Sequence, residues 1–292
     1  MFKAQQNDKT LLSLASTNPS FRLLSFRGGG KDNKLICQNE KIVVPKVLQS
    51  KVVDWYHDML CHPGETRMEE SIRHHLTWKG LRQDVRKKCR TCHRCQIVKR
   101  TKSNYGKLPA KEAEGTPWDT LCVDLIGPYT IKKRHKSFTL WCVTMIDPAT
   151  SWLEIREIKN KRAVRVANVV EQTWLTRYPW PTQLVFDRGT EFMGEFARMA
   201  RDDYSLKRKP ITTRNPQANA MIERAHQTLG NIICMFTTNS DIKLDEQDPW
   251  SGFLASAQFA MRATVQTTLK ASPTQLVVQR DTMLNIPFTA NW

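Results

Sequence analysis

Thr120-Leu121-Cys122-Val123-Asp124-Leu125-Ile126-Gly127-Pro128 is the stretch on which the fold turns. It is a short apolar run with one carboxylate set inside it. A run this short and this apolar, closed by turn residues, reads as a buried strand. An unpaired buried carboxylate is costly, so Asp124 demands a partner or a proton. A single Arg or Lys is the plain partner, and a metal ion is the sharper one.

Working outward, residues 119–126, 138–146 and 151–158 are three β-rich runs divided by turn and charge clusters, which predicts a three-stranded meander. A helix follows over 161–177, then a short buried strand, Gln183-Leu184-Val185-Phe186, ending at Asp187. A helix around 192–201, a strand near 205–209, a loop at 215–219 and a long helix over 220–236 come next. Two further helices are expected over 248–264 and 272–279. Three strands followed by alternating helices and strands predict an α/β fold, layered from sheet and helices.

Upstream the pattern is helical. Met68, Ile72 and Leu76 recur at four-residue spacing, as do Leu81, Val85 and Cys89, and Pro63-Gly64 and Lys79-Gly80 interrupt the pattern. Residues 34–46 alternate weakly and suit a small hairpin. Residues 1–33 are largely polar and carry Gly28-Gly29-Gly30-Lys31, which reads as a leader or linker. Residues 101–117, with Gly106, Pro109, Gly115 and Pro117, read as a second linker.

A chain of 292 residues has room for about two domains. Its net charge of +17 favours a polyanionic partner over a merely solvated basic surface, because the charge is clustered. One cluster runs from Arg86 to Lys102, a second is Lys132, Lys133, Arg134 and Lys136, and a third is Lys207, Arg208 and Lys209. Eight cysteines in a chain of this size do not read as a disulfide framework. Five are scattered and three crowd into 89–95, which points to a reducing compartment and a metal site. The N-terminus lacks the apolar stretch of a signal peptide, and no run approaches the ~18 apolar residues of a membrane span. The expectation is a soluble, intracellular protein.

Four residues have zinc-ligand character. His57 and His62 have four residues between them, and Cys92 and Cys95 form a Cys-x-x-Cys pair. Zinc takes four tetrahedral N/S ligands, and two chelating pairs from distant segments can staple a small helical bundle. Positions five apart lie about 140° around a helix, so the helix should end between His57 and His62. A helical unit of roughly 45 residues has little core of its own, so metal binding would supply folding energy. The alternative makes His57 a helix-surface residue and Cys92/Cys95 a redox pair, but redox pairs sit near a βαβ pattern and a charged helix precedes this one. Cys89 shares the Leu81/Val85 face and reads as core.

Asp187 closes a strand at Asp-Arg-Gly, and Glu223 begins a helix beside Arg224, with 35 residues between the two acids. Singly each is an ordinary turn or surface residue. Together with Asp124 they form the trio that two hard divalent metals need to clamp the oxygens of a phosphodiester displacement.

These residues carry a resemblance. The His-His/Cys-Cys module, Trp118-Asp119 before Asp124, Ile126-Gly127-Pro128, Asp187-x-Gly189 with Glu191-Phe192, and Asn215-Pro216-Gln217-x-Asn219 before Glu223-Arg224 resemble the integrases of gypsy-type LTR retrotransposons, which are similar to retroviral integrases. The resemblance runs from about residue 35 to the end, through Arg262-x-Thr264 and Ser272-Pro273-x-Gln275-Leu276. It implies a ribonuclease H-like catalytic core, a mixed five-stranded sheet with flanking helices over 118–282. It also implies a preceding small all-α zinc-binding domain over 34–100. The implied activity is that of a polynucleotidyl transferase that trims the element's DNA 3′ ends and joins them to target DNA. Asp124, Asp187 and Glu223 would hold two Mg2+ or Mn2+ ions, and His57, His62, Cys92 and Cys95 one structural Zn2+. Near that site Gln217, Asn219, Arg224 and Gln227 are candidates for contact with DNA, and Asn219 and Arg224 are equally suited to fixing the loop.

The implied partners are element ends, target DNA and further copies of the chain, with no membrane and no small-molecule substrate. The implied place of action is the nucleus when the target is chromosomal. Two departures stand out. Gln279 occupies a position where the family has Gly before Arg280-Asp281. The chain stops at Trp292, so residues 283–292 read as a truncated end where relatives continue into a β-barrel module. The expectation is a fragment, or a truncated or domesticated copy, of a longer polyprotein. A catalytically silent DNA-binding remnant, and a nuclease acting on RNA–DNA hybrids, are the competing readings.

Overall fold

The computed structural model describes residues 1–25, 34–98, 115–133, 136–210, 216–237, 248, 250–284 and 286–288. The chain divides into two compact units, residues 1–97 with 264–272, and residues 98–263 with 273–292.

The first unit carries α1 (Phe2–Gln6), α2 (Lys9–Thr17), β1 (Phe21–Ser25), β2 (Lys34–Gln38), β3 (Lys41–Val43), α3 (Lys46–Met59), α4 (Glu65–Arg73), β4 (Leu76–Thr77), α5 (Leu81–Thr91) and α6 (His93–Val98, the last residue falling in the second unit). Its sheet has the order β1-β2-β3-β4, antiparallel except for the β3–β4 pair. Two expectations are corrected here. The unit is not all-α, because the 34–46 hairpin recruits a strand on each side. Residues 1–25 are not a loose leader, because they fold onto that sheet.

The physical reason is the fully buried Gln5. Its side-chain amide donates to the carbonyls of Ile36 (3.0 Å) and Val43 (2.7 Å), and its Oε1 accepts from the Ile36 N–H (2.8 Å). A polar residue here serves as a piece of sheet, and Leu11 packs with Ile36 and Val43 behind it. Met68, Ile72, Leu81 and Val85 are buried, so the four-residue spacings do face a core. Residues 264–272 complete the unit. Gln266 bridges to Ala271, the Val265 N–H donates to Ser71 Oγ (3.1 Å), and Lys270 meets Glu70 (3.2 Å).

The second unit carries β5 (Thr120–Lys133), β6 (Lys136–Asp147), β7 (Trp152–Ile158), α7 (Ala163–Val170) running into a π-helical turn (Glu171–Leu175), β8 (Gln183–Phe186), a 3-10 turn (Thr190–Phe192), α8 (Glu195–Arg198) followed by a second π turn (Met199–Asp203), β9 (Lys207–Pro210), α9 (Pro216–Thr237), α10 (Ser251–Ala263) and α11 (Pro273–Val278). The sheet order is β7-β6-β5-β8-β9, with β5, β6 and β7 antiparallel and β5, β8 and β9 parallel. This is the mixed five-stranded sheet expected of a ribonuclease H-like core. β5 sits at its centre, which is why its sequence is nearly continuous in apolar residues. Leu121, Val123, Val143, Met145, Leu184 and Phe186 from the sheet pack with Val166, Val170, Trp174, Phe192 and Phe196.

At the far side of the sheet, Arg262 reaches from α10 to the buried Glu154 on β7 (2.6 Å) and lies over the Trp152 ring (4.1 Å). The Tyr178 hydroxyl donates to the same carboxylate (2.6 Å). Gln279, where a glycine was expected, holds φ at +55°, in the left-handed region that disfavours a side chain.

Candidate active site and metal centre

The two His/Cys pairs converge. His57, fully buried, lies in the last turn of α3, which ends at Met59. Cys61 and His62 then take positive φ angles (+50° and +59°), and the His62 N–H donates to the His57 carbonyl (2.7 Å). This reversal swings the second imidazole back toward the first. Cys92 caps the end of α5, and Cys95 lies one turn into α6.

The donors His57 Nε2, His62 Nδ1, Cys92 Sγ and Cys95 Sγ all lie within 4.8 Å of one another. The imidazole nitrogens are 2.8 Å apart. Cys92 Sγ is 3.4 Å from His62 Nδ1, and Cys95 Sγ is 3.4 Å from His57 Nε2. A tetrahedron with zinc's bond lengths has edges of roughly 3.4–3.8 Å; the two Cys–His distances of 3.4 Å match it, the imidazole nitrogens at 2.8 Å would spread slightly, and the donor set fits zinc in chemistry. Cys89 stays outside the set. It is buried, 3.9 Å from Met68 Sδ.

The acids are placed by the second unit's core. Asp124 sits on central β5 opposite Thr144 on β6. Just beyond it the β5–β6 pairing shifts between Ile126 and Tyr129. Gly127 sits in that bulge with φ +128°, where a Cβ would stand 2.5 Å from the Leu140 carbonyl. Only glycine fits that approach. Asp187 follows the last residue of β8 and is exposed. Phe186 before it and Phe192 after it are buried, and with Phe196 they make a ring cluster with centroids 5.3–5.7 Å apart. Glu223 is exposed on α9 beside Ile222, which is buried and anchors that turn.

Burial first, and then the charges of Asp187, Glu191 and Glu223, push the Asp124 carboxyl up to about 6, against one lowering contact from the Leu125 N–H. The acids therefore feel one another through charge. Among the described residues, however, only the His/Cys set gathers three or more donor atoms within 4.8 Å. An all-oxygen, all-anionic donor set suits Mg2+ or Mn2+, so these residues fit such ions by chemistry.

Two residues to which the sequence reading gave no role, Glu191 and His226, lie beside these acids. Glu191 folds its carboxylate over Gly189, where a Cβ would meet it at 2.7 Å and Asp187 Oδ1 at 3.0 Å. Its Asp-x-Gly-x-Glu spacing was the available signal. His226 Nδ1 lies 3.7 Å from Asp124 Oδ2, and its Nε2 lies 2.7 Å from Thr144 Oγ1. Burial presses its imidazole down to about 4. Its signal was its place three residues after Glu223, on the same helical face.

Of the expected DNA contacts, Arg224 and Gln227 are exposed on α9, while the side chains of Gln217 and Asn219 lie outside the described residues. Lys207, Arg208 and Lys209 form the exposed edge strand β9, paired in parallel with the strand that delivers Asp187. Among the described residues no helix is long and apolar enough to cross a membrane.

Comparison with known proteins completes the picture. Residues 44–101 match the integrase zinc binding domain family. In sequence the chain is similar to the Transposon Tf2-3 and Tf2-4 polyproteins of Schizosaccharomyces pombe, each 22% identical over 253 residues, covering 85% of this chain and 18% of the polyprotein. The chain thus spans under a fifth of the length of the curated relatives it matches. In structure it is similar to a chain of the simian T-cell lymphotropic virus intasome in complex with PP2A regulatory subunit B56 gamma. The TM-score is 0.50 at 13% identity, with 78% of this chain and 71% of that chain covered. That likeness speaks to the fold.

Proposed function

We propose that this chain is an integrase of the LTR-retrotransposon type, a polynucleotidyl transferase that trims the 3′ ends of element DNA and joins them to target DNA; the zinc binding domain match over residues 44–101 and the similarity to the Tf2 polyproteins support the reading. The observation that supports the reading is that α9, which carries Glu223, comes close enough to central β5 to set His226 3.7 Å from Asp124, and that Asp124 feels the charges of Asp187 and Glu223. Asp124, Asp187 and Glu223 would hold Mg2+ or Mn2+. Two such ions, when bound, supply a water activated for attack and stabilisation of both the attacking and leaving oxygens.

The protein's own part is placement. β5 holds Asp124 in the core, and the Phe186–Phe192–Phe196 cluster fixes the turn that presents Asp187. α9 carries Glu223 outward on the anchored Ile222. Lys207, Arg208, Lys209 and Arg224 would neutralise backbone phosphates, which makes binding salt-dependent and insensitive to sequence. Gln217, Asn219 and Gln227 would supply polar contacts along the same helix. The His57–His62–Cys92–Cys95 set would hold one structural Zn2+, and its role would be folding of the first unit, not chemistry. Relatives of known structure include an intasome chain, and by analogy this chain would act as a multimer on paired DNA ends, in the nucleus when the target is chromosomal.

The test is splicing of a branched DNA that mimics the joined product, with Mg2+ or Mn2+, comparing wild type with Glu223→Gln. Splicing by wild type and none by the variant is expected. No splicing by either, from folded zinc-loaded protein, would turn the reading to a DNA-binding remnant.

A further inference from the structure

Asp124 uses one carboxylate oxygen internally. Its Oδ1 accepts the Leu125 N–H at 2.8 Å. Its Oδ2 faces His226 Nδ1 across 3.7 Å, too far for a hydrogen bond. What lies on that nitrogen follows from proton counting. The Thr144 hydroxyl has one proton, and it donates it to the backbone carbonyl of Asp124 (3.1 Å). In the 2.7 Å contact with His226 Nε2, the hydroxyl must therefore accept and the imidazole donate. A neutral imidazole with its proton on Nε2 has a bare lone pair on Nδ1. A bare imidazole nitrogen and a carboxylate oxygen thus stand 3.7 Å apart.

Two bare lone pairs repel, and a cation between them removes the repulsion. Neighbouring ligands on one ion stand roughly 3.0 Å apart in an octahedron and 3.4 Å in a tetrahedron, with bonds of about 2.1 Å. From 3.7 Å the gap would close by about 0.7 Å for an octahedral ion and about 0.3 Å for a tetrahedral one. A metal-ligating histidine also needs its other ring N–H held by an oxygen, and Thr144 does this here. His226 shares a helical face with Glu223, three residues earlier.

We propose that His226 Nδ1 is a ligand of the divalent cation that Asp124 holds, making this a site of three carboxylates and one imidazole. It rests on Asp124 being a metal ligand, as argued under the proposed function. A nitrogen donor favours first-row transition ions over Mg2+, so the site discriminates between Mn2+ and Mg2+ more strongly than carboxylates alone would.

The test is Mn2+ titrated into the zinc-loaded full chain and followed by electron paramagnetic resonance, with pulsed detection of nitrogen coupling. Wild type should bind Mn2+ with coupling to one directly bound 14N. Supplying 15N-histidine should convert that coupling to the 15N pattern, a readout that needs no variant to fold. His226→Asn should lose the coupling and bind Mn2+ about tenfold more weakly, with a smaller loss for Mg2+. Asp124→Asn should abolish the bound signal. Mn2+ that depends on Asp124 but shows no nitrogen coupling would overturn the role of His226 and leave the acid site standing. An Mn2+ signal indifferent to Asp124→Asn, or no bound Mn2+ in wild type, would overturn both.

Discussion

His57, His62, Cys92 and Cys95 hold their donor atoms within 4.8 Å of one another, whereas Asp124, Asp187 and Glu223 bear on one another by charge and form no group that tight among the described residues. The difference follows from what each set is made of. Two imidazoles can share a 2.8 Å hydrogen bond, so helices and a left-handed turn can gather them. Three carboxylates repel, and each step toward convergence raises the cost of the most buried one. The first region is a staple whose geometry is part of the fold. The second carries its acids on the central strand β5, just past the end of β8 and on helix α9, as no tight group among the described residues.

The contrast can be broken most forcefully at the staple. Cys92→Ser should leave the purified chain without zinc and cost the first unit several kcal/mol, about 5 or more. Elemental analysis with a circular-dichroism melt would show it, and an unchanged melt would mean that the sheet alone holds the unit. Asp187→Asn should do the reverse. The residue is exposed, so unfolding should move by less than about 0.5 kcal/mol. Splicing of branched DNA should fall at least about a thousandfold, roughly 4 kcal/mol in the barrier.

A third test reads the burial of Asp124 together with the repulsion. The Asp124 carboxyl is raised from 3.8 to about 6 in the folded chain. A group raised in this way adds stability at pH values below about 4 and loses it as pH climbs through about 6. Urea unfolding of metal-free protein should therefore find Asp124→Asn more stable than wild type by on the order of 2 kcal/mol at pH 8, with the advantage gone near pH 4. A pH-independent gap would mean that burial and crowding are not what sets the site apart. The smallest loss of activity belongs to Gly189→Ala. Its φ of −62° admits alanine, and the new methyl meets only the flexible end of Glu191 and one oxygen of Asp187. Stability should shift by under about 1 kcal/mol, while splicing drops about tenfold because Asp187 is displaced.

The same contrast governs what could be read from sequence. Zinc ligands come in close pairs with a fixed chemistry, so four residues were enough to predict the staple and the break in α3. The strands of the second unit followed from period and run length, as in β5 and β8, and their number in one mixed sheet from the resemblance. What escaped was non-local. Gln5 is a polar residue near the N-terminus, and nothing in its neighbourhood says that it will bond to Ile36 and Val43. Thr144 and His226 lie 82 residues apart, and only the fold makes them partners.

Residues 264–272 leave the second unit after α10, complete the first, and return to begin α11. No single cut therefore separates the two halves cleanly. A fragment ending at residue 97 would lack the segment whose Val265 N–H is bound by Ser71. A fragment starting at residue 98 would carry Val265 and Ala271 with the surroundings that bury them removed. For anyone dissecting this protein, the second half expressed alone should be the stickier piece, and restoring its solubility would call for trimming that excursion to a short polar turn.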